Sequence, residues 1–361
     1  ILPAFKNYFY SLKSLRIIEP LCGKNPKIIM IDCHCWRFSF KNIMKIGWVA
    51  QMFQKIQQFG MHELDLTNGA VFEKGGVYIV PLQENVCLSS RLSGIANPKS
   101  SIGRLDVFTR LITDKATEFD RVKEGYKGQL YAEISPRTFS VVARTGSNLL
   151  QLRLRLGSPR PTDTATKRLN QKVSLIDSSF SDKDLNKRIK NGVPLSIDLA
   201  SDERNKLVGY KAKQFTPLID IDKSSMYKVT DFWEKIYCSK ENSIILDPNA
   251  FYILASKESV VVPPDHAAEM AAFNPLHGEF RVHYAGFFDP GFGHNRYGGS
   301  GSKAVLEVRS YEVPFVLEDN QVVCRLVYER LTETPDRIYG SDSLDSNYQA
   351  QGLKLSKHFK T

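Results

Sequence analysis

Residues 97–104 read Asn-Pro-Lys-Ser-Ser-Ile-Gly-Arg, and Glu133 follows inside the alternating segment Gln129-Leu-Tyr-Ala-Glu-Ile-Ser135. The loop offers a point cation at Lys99, hydroxyls at Ser100 and Ser101, backbone N–H groups around Ile102 and Gly103, and a guanidinium at Arg104. Phosphate oxygens suit such a set, because charge-assisted hydrogen bonds from Lys and Arg are the strong ones. A Ser-Ser-x-Gly turn is also common on protein surfaces, so the loop alone points to an anion rather than to a reaction. Glu133 has apolar neighbours in Leu130, Ala132 and Ile134. A strand carboxylate in that setting either faces solvent or is buried for a purpose. Burial raises its pKa toward neutrality and fits it to carry protons.

The elements that position these residues repeat along the chain. Val77-Tyr-Ile-Val-Pro-Leu-Gln-Glu-Asn-Val86 aligns with Phe251-Tyr-Ile-Leu-Ala-Ser-Lys-Glu-Ser-Val260, so that Tyr78 and Tyr252, and Glu84 and Glu258, stand 174 positions apart. Asn97-Pro98 matches Asn274-Pro275, and Arg104 matches Arg281, both at an offset of 177. Glu133 matches Glu307 back at 174. Several such matches in one order imply a duplicated domain, and 361 residues are enough for two cores. Short alternating segments such as Leu150-Gln-Leu-Arg-Leu-Arg-Leu156 read as half-buried strands. Glycines and prolines punctuate them, which predicts an all-β fold of two tandem distorted barrels with a few short helices. The expected layout is an atypical segment over 1–53, a first domain over 54–158, a linker over 159–181, a second domain over 182–335, and a polar tail over 336–361 that cannot form a core and orders only by covering something.

Lys-Ser-Ser-x-Gly-Arg, then Gly125-Tyr-Lys-Gly128, then a strand carrying Glu133, resembles the active-site segment of the dCTP deaminases, relatives of the trimeric dUTPases. The likeness spans residues 70–158. Asn347-Tyr-Gln-Ala-Gln-Gly352 with Leu355-Ser356 is similar to the family's C-terminal segment, which folds over the bound triphosphate. The resemblance implies two dUTPase-like (β-clip) domains and hydrolytic deamination of dCTP to dUTP and ammonia. It makes Glu133 the proton shuttle, Ser100 the residue that orients water or the C4 substituent, and Arg104 a stabiliser of charge. Lys99, Ser101, Ile102 and Gly103 would cradle phosphates, and Tyr131 and Ala132 would read the cytosine edge through their backbone. A main-chain carbonyl near Thr113 or Asp114 would activate water. Tyr339, Asn347, Tyr348 and Gln351 would close the tail over the nucleotide. The family's Asp before the glycine hairpin is replaced here by Lys123-Glu124, which leaves Asp120 as the sugar-contact candidate. The family's Ser-x-Asp-x-Arg-Leu-Gly strand has no counterpart in residues 24–53.

The second copy keeps Arg281 and Glu307 but reads Leu276-His-Gly-Glu-Phe280 where the first has its cation and hydroxyls, so it is expected to be catalytically silent. His277-Gly-Glu279 matches half of the zinc cytidine deaminase signature, but Pro-Cys-x-x-Cys occurs nowhere. Cys33-His34-Cys35 is too cramped for a tetrahedral site by itself. No protein-bound metal and no zinc are therefore expected, and Mg²⁺ would arrive on the substrate triphosphate. Six cysteines without regular spacing argue against a disulfide framework and for a reducing cytoplasm. No apolar run is long enough to span a bilayer, and the opening residues lack the layout of a secretion signal. The net charge of +10 favours an anionic partner, here dCTP or dUTP rather than nucleic acid or membrane. The resemblance also implies a homo-oligomer with a trimer-like arrangement of domains. Two other readings stay open: a bifunctional dCTP deaminase and dUTP diphosphatase, and an impaired nucleotide-binding relative.

Overall fold

The repeat read from the sequence reappears strand by strand. The computed structural model describes residues 31–34, 51–157, 161–177, 182–200, 206–272, 280–282, 286–294, 301–310, 312–341 and 347–360. They fall into two units, one within Leu12–Ser158 together with Pro217–Tyr227, the other formed mainly by Pro159–Thr216 and Lys228–Thr361. The first unit holds β1 (Ile31–His34), β2 (Ala70–Phe72), β3 (Tyr78–Cys87), β4 (Leu92–Pro98), β5 (Val107–Thr113), β6 (Arg121–Val122), β7 (Lys127–Pro136), β8 (Val141–Ala143) and β9 (Asn148–Leu156), with helices α1 (Gln51–Phe59) and α2 (Ser100–Gly103). The second opens with α3 (Asp163–Lys172), β10 (Ile176–Asp177), α4 (Asp182–Arg188), β11 (Val193–Ser196) and β12 (Leu207–Ala212). The chain then lends β13 (Ile219–Asp220) to the first unit. It continues through α5 (Val229–Phe232), β14 (Trp233–Tyr237), β15 (Ser243–Leu246), β16 (Phe251–Val260), β17 (His266–Ala272), β18 (Phe280–Val282), β19 (Phe287–Phe288), β20 (Ser302–Ser310), β21 (Phe315–Glu318) and β22 (Val322–Arg330).

Sheet order β1-β9-β4-β6 in the first unit is matched by β11-β22-β17-β19 in the second, and β3-β7-β5 by β16-β20-β18. Registers agree in detail. Ile79 faces Glu133 as Ile253 faces Glu307, and both ladders slip at one place, between Pro81 and Asn85 and between Ala255 and Ser259. Each slip carries a buried carboxylate, Glu84 or Glu258. Glu258 is satisfied by the Ser196 N–H at 2.8 Å and the Ser196 hydroxyl at 2.7 Å. A bulge that tucks a carboxylate inside must supply it with donors, since an unpaired buried charge is costly.

The structure corrects four expectations. Residues 159–181 are not merely a linker: Thr162 caps α3 by accepting from the Ala165 N–H at 3.3 Å, Asp163 and Lys172 complement the helix ends, and β10 pairs with β16. The tail does enter a core. Ile338, Tyr339, Tyr348, Leu355 and Phe359 are buried, and Phe359 packs edge-on against Phe232 and Trp233 at 5.4 and 5.8 Å. Arg153 and Arg155 on β9 are buried rather than solvent-facing. The strand lies between β1 and β4, and long arginine stems can line apolar surface. Finally, β1 occupies the position of β11, pairing with β9 as β11 pairs with β22, although residues 24–53 lack the expected strand motif.

Candidate active site

In the first unit, β4 ends at Pro98, Lys99 caps α2, and the chain passes directly through Arg104–Asp106 into β5. This turn holds all six loop candidates. Its backbone is committed: the N–H groups of Ile102 and Gly103 donate to the Lys99 carbonyl at 2.8 and 2.9 Å, and that of Arg104 to Ser100 at 3.0 Å. Ser101, Ile102, Gly103 and Arg104 are buried, while Lys99 and Ser100 are half-buried. The amides of Ile102 and Gly103 are therefore engaged within the turn. Lys99 and Ser100 remain as the members that face outward.

Strand β5 alternates strictly, with Val107, Thr109, Leu111 and Thr113 buried and Phe108, Arg110 and Ile112 half-buried. Its outward face meets that of β7, where Arg110 stands opposite Glu133 and Ile112 opposite Tyr131. Arg110 donates to Glu133 Oε1 from Nη2 at 2.9 Å and from Nε at 3.2 Å. Its guanidinium is held between two rings, 4.6 Å from the Phe108 centroid and 4.2 Å from that of Phe119. Such stacking orients the planar group without satisfying its N–H donors. Sequence reasoning missed Arg110 altogether. Its alternation on β5 was visible, but its pairing with Glu133 depends on register.

Asp120 is drawn into the same group. It sits at φ 60°, accepts the Leu111 N–H on Oδ1 at 2.7 Å, and returns its own N–H to the Leu111 carbonyl at 2.9 Å. Burial pushes its carboxyl up to about 6; the Leu111 N–H and Arg110 pull it down, and Glu133 pushes it up further. One guanidinium thus stands near two carboxylates. Tyr131, on the face of Glu133, has its hydroxyl pushed up to about 12, first by burial and then by the field of Asp114, so it stays protonated. Tyr131 and Ala132 lie on the middle strand, paired with β3 and β5, so their backbone belongs to the ladder. The Asp114 N–H bonds the Tyr126 hydroxyl at 3.2 Å.

The tail candidates lie in the second unit. Tyr339 and Tyr348 are buried, and the Tyr348 N–H donates to the Tyr339 hydroxyl at 3.0 Å. Gln351 is clamped to β20 by its side chain on the Lys303 carbonyl at 3.0 Å, with the Lys303 N–H returning to its own carbonyl at 2.9 Å. Asn347 offers its carbonyl to Lys354 at 2.9 Å. The Tyr339 N–H and the Gln349 side chain both attach to the hairpin Asp289-Pro290-Gly291-Phe292-Gly293. Gly293 takes φ +66°, and a Cβ there would run into the Val260 carbonyl.

Two elements expected in the first copy are found in the second: Ser196-Ile197-Asp198 at the end of β11, and an Asp at the head of a glycine hairpin. The match of Arg281 with Arg104 does not hold in register. Arg281 faces Arg309 on β20, the position that Phe108 takes opposite Ser135. Asn274, Pro275, Leu276, His277 and Glu279 lie outside the described residues.

The N-terminal domain profile of 2′-deoxycytidine 5′-triphosphate deaminase matches residues 34–158, and the profile of its C-terminal domain matches residues 162–359. The chain belongs to the dCTP deaminase family. A crystal structure of 2′-deoxycytidine 5′-triphosphate deaminase from Agrobacterium tumefaciens is 47% identical, superposes with a TM-score of 0.74, and covers 84% of this chain and 89% of its own. The family's dUTPase-like all-β fold is thus present twice. Among curated relatives, the dUMP-forming dCTP deaminases of Methanosphaera stadtmanae and Methanothermobacter thermautotrophicus are each 26% identical, over 196 and 195 residues. They match 49% and 50% of this chain and 92% and 93% of their own lengths. No helix among the described residues is long and apolar enough to cross a membrane.

Proposed function

We propose that the first unit deaminates dCTP, adding water at C4 of the cytosine and releasing ammonia to leave dUTP. Glu133 takes a proton from the attacking water and passes it to N3 as the tetrahedral centre forms. It then takes the proton of the new C4 hydroxyl and delivers it to the departing amine as the C4–N bond breaks and the C4 carbonyl forms, so that the carboxylate is regenerated. The observation that carries this reading is the Arg110 clamp: both hydrogen bonds fall on Oε1, which leaves Oε2 to exchange protons. A carboxylate fixed in this way needs little reorganisation as charge develops, an advantage of a few kcal/mol in closed sites. Lys99 and Ser100 supply the outward-facing cation and hydroxyl for phosphate and for the water or C4 substituent. Arg104, buried beneath them, shapes the turn. Mg²⁺ would enter as part of the substrate, and the mechanism calls on no zinc. The site operates within a homo-oligomer in the cytoplasm.

A second reading, in which the product continues to dUMP, is favoured by the names of the archaeal relatives. It needs a group to activate water at the phosphate. Asp120 is a poor choice, because its Oδ1 is occupied by the Leu111 N–H. Purified protein with dCTP and Mg²⁺, resolved for dCTP, dUTP and dUMP, separates the two. Accumulating dUTP, absent in Glu133→Gln, is the expected result. Stoichiometric dUMP without dUTP would establish the bifunctional reaction. No turnover by the wild-type protein would overturn both.

A further inference from the structure

The two units differ at one edge. In the first, β8 is paired with β2 on one side and with the parallel strand β13 on the other. The Ile219 and Ile221 N–H groups donate to the Ser140 and Val142 carbonyls at 3.2 and 3.1 Å. Arg144, at the end of β8, locks the added strand through Asp220 at 2.7 and 2.8 Å and through Asp222. Ile219 and Ile221 lie buried.

In the second unit, β15 and β21 repeat β2 and β8 in the same register, Ile245 facing Val316 as Val71 faces Val142. The turns that follow also agree: the Arg144 N–H donates to the Ser147 hydroxyl at 3.0 Å, and the Glu318 N–H to the Gln321 side chain at 3.3 Å. Among the described residues, however, no strand pairs with the outer side of β21. Ile245 is 64% exposed and Val316 53%. Phe315, at the place of the buried Val141, is only partly covered. The position of Arg144 is taken by Glu318, which is exposed.

We propose that the open edge of β21 is a strand-addition site for an extended basic segment of a partner protein. An unpaired edge beside exposed apolar side chains is a template for another strand. The first unit shows what this fold places there: a parallel strand with apolar residues toward the core and charged residues toward the end of the sheet. Replacement of Arg144 by Glu318 reverses the charge that the incoming strand must carry. The occupant therefore has apolar residues at the positions of Ile219 and Ile221, and Lys or Arg at those of Asp220 and Asp222.

The test uses the full chain and two fluorescent peptides. One is the native stretch of residues 217–222, Pro-Leu-Ile-Asp-Ile-Asp; the other has both aspartates replaced by lysine. Fluorescence anisotropy is expected to show the lysine peptide bound about tenfold more tightly than the native one, since two cross-strand charge pairs change sign between them. Glu318→Arg inverts that preference, and Val316→Pro, which removes an edge N–H, abolishes binding of the lysine peptide. Thermal unfolding verifies that both variants are folded. No binding of the lysine peptide, or binding indifferent to Glu318→Arg, overturns the proposal. Self-association of the chain that disappears in Val316→Pro, without peptide binding, would assign the edge to a second copy and overturn it equally.

Discussion

Glu133 and Glu307 stand at one register in two copies of one fold, opposite Ile79 and Ile253, yet their surroundings differ. Glu133 is half-buried and held by Arg110, whereas Glu307 is buried. The first copy has the loop with a cation and hydroxyls. The second has the Ser-x-Asp strand end, the Asp-led hairpin and the tail packed upon it. The bulges with Glu84 and Glu258 are retained in both, because each solves a folding problem. Duplication has thus preserved the scaffold and divided what is mounted on it.

Several experiments would break or sharpen that contrast. The largest effect on stability is expected from Phe359→Ala, which empties an aromatic pocket in the second unit and should cost about 3–5 kcal/mol in urea unfolding. A loss below about 1 kcal/mol would mean that the tail is not part of that core. Arg110→Ala should lower kcat about 100-fold, or roughly 3 kcal/mol, with KM little changed, because it frees Glu133 without touching the phosphate loop. A rise in KM at constant kcat would reassign Arg110 to substrate binding.

Asp120→Asn tests the neighbouring carboxyl. Its folded-state value, about 6, lies above the usual 3.8, so its contribution favours folding below 3.8 and is lost as pH rises through 6. The Asn variant keeps an acceptor for Leu111 and should be more stable than wild type near pH 8 by up to about 2 kcal/mol, with no difference below about pH 4. Equal stability at both pH values would remove Asp120 from the Arg110 group. A smaller effect is expected from Arg144→Ala, at about 1 kcal/mol after solvent screening. Arg144 holds Asp220 down to about 2, so the wild-type advantage is present above 3.8 and fades as pH falls toward 2. Glu318→Ala, at the matching position of the second unit, should leave stability unchanged.

Much of the scaffold was legible in the sequence, because the 174-residue offset aligns residues that must share a register. The tail was misread because its buried residues, Tyr339, Tyr348, Leu355 and Phe359, stand singly among polar neighbours and show no period. Helix α3 carried its signals in Thr162 and Asp163, but prolines at 159 and 161 outweighed them. Alternation placed Arg153 and Arg155 on one face of β9 and could not say what covers that face. For the site, the loop and Glu133 were visible as residue types. The Arg110 clamp was not, because cross-strand partners are set by where β5 and β7 meet.

The most direct test compares turnover of dCTP by Glu133→Gln and Glu307→Gln, both purified as the full chain and verified as folded. If the first unit carries the chemistry, Glu133→Gln is inactive and Glu307→Gln turns over dCTP as wild type does. Activity surviving in Glu133→Gln but lost in Glu307→Gln would contradict that assignment and move the reaction to the second copy.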